Sequence, residues 1–149
     1  MYRRILFPTD GSPASTRATK TAIGLARTCG ARLVALHVIA PFVPTAYGDA
    51  IVPYPELYSP GEYERITQKS AERLLARVKA RADAAKVRCD TAIATASPVW
   101  KAIIAAARSK RCDVIVMASH GRRGLEGLLL GSEAHKVLTH TKTPVLVCR

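Results

Sequence analysis

Val114-Ile115-Val116-Met117-Ala118-Ser119-His120-Gly121-Arg122-Arg123-Gly124-Leu125-Glu126-Gly127-Leu128-Leu129-Leu130-Gly131-Ser132 is the stretch whose reading decides the fold. It opens as a β-branched, apolar run without polar alternation, the pattern of a strand buried on both faces of a parallel sheet. It crosses a loop rich in glycine and arginine and enters a helix near Gly131-Ser132. Glycines let backbone N–H groups approach an anion, and a helix N-terminus adds free donors and the positive end of its dipole. Arg122 and Arg123 supply further charge for phosphates. A flexible surface loop with tight turns is the competing reading of the same residues.

Outward from this stretch, strand and helix patterns alternate. Ile5-Leu6-Phe7, closed by Pro8-Thr9-Asp10-Gly11, reads as the first strand, and Leu33-Val34-Ala35-Leu36-His37-Val38-Ile39 as the second. Residues 89–94 are a weaker third, with Asp90 and Thr91 inside it; Val114 to Ala118 is the fourth and Pro144-Val145-Leu146-Val147-Cys148 the fifth. Ser12-Pro13 opens the first helix, Ser as cap and Pro in the first turn, with Gly30 as its stop. Its expected inner face is Ala14, Ala18, Ala22, Leu25 and Cys29. A second helix over about residues 60–85 would bury Tyr63, Ile66, Ser70, Leu74, Val78, Ala82 and Ala85. Ser97-Pro98 repeats the Ser-Pro start, with Val99, Trp100, Ile103, Ile104 and Ala107 as the apolar face. The last helix begins near Ser132 and turns Ala134, Val137 and Leu138 inward. The alternation predicts a three-layer α/β sandwich, a five-stranded parallel sheet with helices on both faces, in one domain over residues 1–149.

Composition sets the class. Of 149 residues, 48% are hydrophobic, enough for a core, but only 5% are aromatic, so the core rests on Val, Ile, Leu and Ala. No apolar run approaches the roughly 20 residues of a membrane helix. Met1-Tyr2-Arg3-Arg4-Ile5-Leu6-Phe7-Pro8 is too short in its apolar part for a secretion signal. Cys29, Cys89, Cys112 and Cys148 form no C-x-x-C pair and read as buried, reduced thiols; a cytoplasmic location is expected. A net charge of +12 implies attraction to polyanions. The charge is dispersed, and its largest share, over residues 65–88, has acidic residues interleaved, which favours a solvated helix face over a nucleic-acid patch. Neither a membrane nor a nucleic-acid partner is expected. Residues 40–60, with Pro41, Pro44, Pro53, Pro55 and Pro60 among Tyr47, Tyr54 and Tyr58, exceed an ordinary connection and read as a lid or a plain insertion.

The loop after the fourth strand is neither a P-loop nor a dinucleotide fingerprint, whose glycines follow the first strand. No histidine pair has zinc spacing, and no G-x-S-x-G elbow occurs. His37 reads as a satisfied core histidine, His120 as a loop residue within reach of a ligand, and His135 and His140 as surface residues.

Five pieces in order resemble the universal stress protein family: Arg4-Ile5-Leu6-Phe7-Pro8-Thr9-Asp10-Gly11-Ser12, Leu36-His37-Val38, the run from Val114 to Leu125, Leu130-Gly131-Ser132, and Pro144-Val145-Leu146-Val147. The resemblance implies the strand order 3-2-1-4-5 of a Rossmann-like, adenine nucleotide α-hydrolase-like fold. In the family's nucleotide-binding branch the loop reads G-x-x-G, nine residues, G-[ST]; here Gly121 and Gly131-Ser132 fit, and Ala118 stands at the first glycine. By resemblance ATP is the cofactor, with Mg²⁺ its companion and Asp10 or Glu133 a holder for the metal. Asp10 would face base and ribose, with Pro8 and Thr9 shaping that wall; an Asp bonding its own turn is the alternative. Val38 would meet adenine through its main chain and Met117 would pack on the base. Ser119 and His120 lead into the phosphate loop, and Gly121, Arg123, Gly131 and Ser132 would hold the phosphates. The family pattern also implies a homodimer through the strand over residues 144–148. The expected function is a non-enzymatic nucleotide-binding stress-response module. A slow ATPase and a nucleotide-free dimeric stress protein are the alternatives.

Overall fold

The computed structural model of the chain describes residues 1–43, 59–120 and 130–149. Strand and helix alternate as β1 (Arg4–Pro8), α1 (Pro13–Cys29), β2 (Arg32–Ile39), α2 (Pro60–Ala84), β3 (Cys89–Thr95), α3 (Val99–Ser109), β4 (Val114–Ala118), α4 (Ser132–His140) and β5 (Val145–Cys148). The five strands form one sheet in the order β3-β2-β1-β4-β5, every pair parallel. This is the order the family resemblance implied.

Successive strand residues point to opposite faces, and the continuous apolar runs supply both. Ile5 and Phe7 of β1 join Leu33 and Ala35 of β2 and Val114 and Val116 of β4 in one core, against Ala18, Ala22 and Ala26 of α1 and Leu75, Val78 and Ala82 of α2. Leu6, Val34, Leu36, Ile115 and Met117 pack on the other face against Ile103 and Ala107 of α3 and Ala134 and Val137 of α4. The sandwich therefore has three layers, with β1 at the centre of the sheet between β2 and β4.

Local signals held in α1. Ser12 caps it, its Oγ accepting the Ser15 amide at 3.2 Å; Pro13 is the first residue, and Gly30 ends it in the left-handed conformation at φ 63°. Its buried face is Ser15, Ala18, Thr19, Ala22, Ile23 and Ala26, while Ala14, Leu25 and Cys29 are half-buried at the margin. The expected stripe was displaced toward one side of the true face.

Three expectations are corrected. In α2, Ile66 is 42% exposed and Ser70 is exposed; burial begins at Ala71 and continues through Leu74, Leu75, Val78 and Ala82. A 25-residue helix is about 37 Å long at ~1.5 Å per residue, against about 23 Å for a seven-residue strand such as β3. The first turns of α2 thus extend past the carboxyl edge of the sheet, where Tyr63 donates its hydroxyl to Ala40 O at 3.0 Å and its ring lies 5.4 Å from Phe42. Second, α3 does not repeat the Ser-Pro start: the Ser97-Pro98 peptide is cis, Pro98 is itself the cap, and no side chain of its own segment caps the helix. Third, Leu138 is 40% exposed, because α4 has only nine residues and seats on Ala134 and Val137. The four cysteines are free thiols; Cys89 and Cys112 are buried, but Cys29 and Cys148 are only half-buried. The reading of residues 40–60 falls largely on residues 44–58, outside the described ones.

Candidate functional site

In an open parallel sheet, ligands bind outside the carboxyl ends of the strands where the chain order reverses. That point lies between β1 and β4, which pair through Ile5↔Val114 and Leu6↔Ile115.

On the β1 side, half-buried Pro8 ends the strand opposite Leu36. Thr9 is buried and turned inward: its amide donates to Leu36 O at 2.9 Å and its hydroxyl bonds that of Ser15. Its carbonyl lies 2.7 Å from His37 Nδ1. A carbonyl only accepts, so that nitrogen carries the proton. His37 is thus a satisfied histidine, half-buried rather than fully in the core. Asp10 Oδ1 accepts the Ser12 amide at 3.0 Å, and Gly11 follows at φ 75°. The turn role anticipated for Asp10 is present. β2 continues three residues beyond Leu36, its last residue paired with β1, which leaves half-buried Val38 past the end of β1 pairing.

On the β4 side, buried Met117 packs into the α3/α4 core and Ala118 into the opposite one. Ala118 is not among the left-handed residues, so its backbone does not demand the glycine of the family pattern. Buried Ser119 ties three elements together. Its amide donates to Cys148 O of β5 at 2.7 Å, its carbonyl accepts the Gly131 amide at 2.6 Å, and its Oγ meets His120 Nδ1 at 2.8 Å. Gly131 is the N-cap of α4 at φ −69°, an ordinary conformation. Glycine is needed there for space, since a Cβ would come within 3.0 Å of Ser119 O and 3.4 Å of the His120 Cα. That close approach seats the amino end of α4 on the end of β4. Among the described residues no side chain caps this end, which leaves the amides of its first turn without an intrahelical partner. Ser132 is exposed in that turn. Gly121 and Arg123 lie outside the described residues.

Glu133 has a role that sequence reading missed. Its Oε2 accepts the Trp100 amide at 2.8 Å, while Lys136 lies 3.8 Å from Oε1. Trp100 is the second residue of α3, so Glu133 supplies from α4 the cap that Pro98 cannot. No local signal could reveal this, because the partners are 33 residues apart. Ser15, the buried partner of Thr9, was missed as well, as one of two polar residues, with Thr19, on the buried face of α1. Among the described residues, no cluster of three metal-ligating side chains occurs.

A profile of the universal stress protein family matches residues 1–149. Universal stress protein MJ0531 of Methanocaldococcus jannaschii is 32% identical over 152 residues, covering 100% of this chain and 83% of that protein. Universal stress protein YxiE of Bacillus subtilis is 31% identical, with 100% of each covered. Among solved structures, a universal stress protein family member from Burkholderia pseudomallei superposes with a TM-score of 0.76 at 26% identity, covering 98% of this chain and 95% of that one. A universal stress protein in complex with cAMP (TM-score 0.70, 23% identity, coverage 99% and 97%) and one from Archaeoglobus fulgidus in complex with dAMP (TM-score 0.70, 17% identity, coverage 99% and 98%) share the fold.

Proposed function

This chain belongs to the universal stress protein family, and from that premise we propose that it is a single-domain, cytoplasmic module that binds ATP at the β1/β4 crevice and signals through its nucleotide state, without a dedicated catalytic centre. One observation carries this reading: Gly131 donates to Ser119 O at 2.6 Å and so holds the amino end of α4, which no side chain of the described residues caps, on the end of β4 at the switch point. A helix N-terminus there offers oriented N–H donors and a positive dipole end to a phosphate. Base and ribose would lie toward Asp10, Val38 and Met117, and phosphates toward Ser119, His120, Gly121, Arg123, Gly131 and Ser132. Proteins of this fold complexed with cAMP and dAMP support an adenine nucleotide as the ligand class. Mg²⁺ would be held by the phosphates with Asp10 or Glu133; Glu133 also serves Trp100 and Lys136.

Thermal unfolding with and without ATP tests the proposal. A ligand that binds only the native state stabilises it by about 2.7 kcal/mol at a hundredfold excess over Kd, a rise in Tm of roughly 5–10 °C for a chain of this size. Gly131→Val should abolish that rise while circular dichroism shows the fold intact, because its side chain forces the start of α4 away from Ser119. An undiminished shift in the variant would show that the pocket is elsewhere. No shift in the parent would favour the nucleotide-free reading.

A further inference from the structure

The opposite, amino edge of the sheet gathers the basic residues that the sequence disperses. Arg88 and Arg32 stand at the starts of β3 and β2, Arg3 and Arg4 at the start of β1, and Arg111 just before β4. Backbone bonds lock this row in register: Leu33 donates to Arg88 O, Arg32 to Arg3 O and Asp113 to Arg4 O, each at 2.9 Å. Arg27 and Lys86 join them from the ends of α1 and α2, around an open concavity of about 850 Å³. Asp113 is the single acid lining it, and its carboxylate accepts the amides of Arg3 and Arg4 at 2.7 and 3.2 Å. Arg32 pairs with Asp90. Among the described residues, the side chains of Arg3, Arg27, Lys86, Arg88 and Arg111 are exposed and in no ion pair.

Cations at helix C-termini ordinarily balance the helix dipole. Three of the four helices, α1, α2 and α3, end around this concavity, each worth roughly half a negative charge, which is far less than the seven cationic side chains present. The turns themselves are a second observation. All three helices end in the same turn, with Ala31 N on Ala26 O, Val87 N on Ala82 O and Cys112 N on Ala107 O at 2.8–2.9 Å. Its left-handed position is Gly30 (φ 63°) after α1, but Lys86 (φ 58°) after α2 and Arg111 (φ 52°) after α3. Glycine is the unstrained residue there, yet two of the three positions carry long cations.

We propose that the amino edge of the sheet docks the phosphodiester backbone of a nucleic-acid duplex without base specificity. The row crosses four adjacent strands, about 14 Å at ~4.8 Å per gap, which is the axial span of about five successive phosphates of one duplex strand at ~3.4 Å of rise each. A row of this kind fits a linear polyanion better than a compact multiphosphate. The apolar residues of the concavity, Ala26, Ala31 and Val87, are buried, so nothing here inserts into a bilayer, and no aromatic ring lines it to stack unpaired bases. The surface lies at the other end of the sheet from the nucleotide crevice and does not depend on that assignment.

Fluorescence anisotropy with labelled duplexes of about 20 base pairs and unrelated sequence, read over a range of salt, tests this. The parent should bind both sequences alike, with affinity falling steeply as salt rises. Lys86→Gly with Arg111→Gly removes two cations while relieving the left-handed positions, so Tm should hold. Affinity at about 0.1 M salt should drop roughly 10- to 100-fold and the log–log salt slope by about 2. Arg27→Gln with Arg88→Gln, both exposed, should give the same loss. Lys69→Gln with Arg73→Gln on the outer face of α2 should change neither. The proposal is overturned if the two edge variants bind like the parent or the α2 variant loses as much. It is equally overturned if saturating ATP displaces the duplex, or if inorganic polyphosphate or anionic vesicles bind while the duplex does not.

Discussion

Cys112 lies just beyond the end of α3, 8% exposed, and burial pushes its thiol up to about 11, a rise only partly offset by the nearby positive charge of Arg4. The folded state therefore favours the neutral thiol. Its contribution to stability is complete below the unfolded thiol pKa near 8.5 and is lost as pH rises toward 11. Native Cys112 should react with iodoacetamide at pH 8 at least about 100-fold more slowly than in denaturant, followed by peptide mass spectrometry. Cys112→Ala should flatten the loss of stability above about pH 9. Equal alkylation rates in the native and denatured chain would contradict the assignment. At the same scale, Gly131 shows that a glycine can be required for clearance rather than for its φ.

Between elements, α3 and α4 are joined by one carboxylate and one ring pair. Glu133 accepts from the first turn of α3, and the rings of Trp100 and His140 lie 4.5 Å apart, from the start of one helix to the end of the other. Removing the carboxylate leaves a half-buried amide without its acceptor, at a cost of about 1–2 kcal/mol. Glu133→Ala should lower Tm by roughly 2–6 °C and speed hydrogen exchange at the Trp100 amide, whereas Glu133→Gln, which keeps an acceptor oxygen, should retain most of both. If alanine leaves the Trp100 amide as protected as in the parent, the cap is not energetic. This joint matters to the crevice because α4 also carries Gly131 and Ser132.

For the whole molecule, the parallel sheet separates two chemistries by some 20 Å, roughly the length of a strand. The carboxyl edge carries the crevice proposed to bind a nucleotide, and the amino edge carries cations outside any ion pair among the described residues. The sheet also leaves β5 at its border, with Leu146 40% exposed. An apolar edge strand offers unpaired backbone groups, and a two-fold axis beside it would pair two copies in a closed dimer. Val145 packs into the chain's own core, so Leu146→Lys is the cleaner probe. Light scattering at micromolar concentration should give the mass of two chains for the parent and one for the variant. A single-chain mass for the parent would rule the dimer out.

The sequence alone determined which segments become strands and helices, because continuous apolar runs and capping residues act over neighbours in the chain. The Ser12 cap, the Gly30 stop and the limits of β4 were all legible in this way, and family resemblance supplied the strand order. Helix faces were legible only where a helix lies over the sheet: Leu74, Val78 and Ala82 were read correctly, but Ile66 lies past the sheet edge. What joins distant segments had no local signature. The Glu133–Trp100 cap, the Ser119 ties to β5 and α4, and the row from Arg88 to Arg111 exist only once the strands are aligned. Seven of the 23 lysines and arginines gather at one edge because parallel strands all begin on the same side of the sheet, an ordering that the crossover helices impose and that no window of sequence contains.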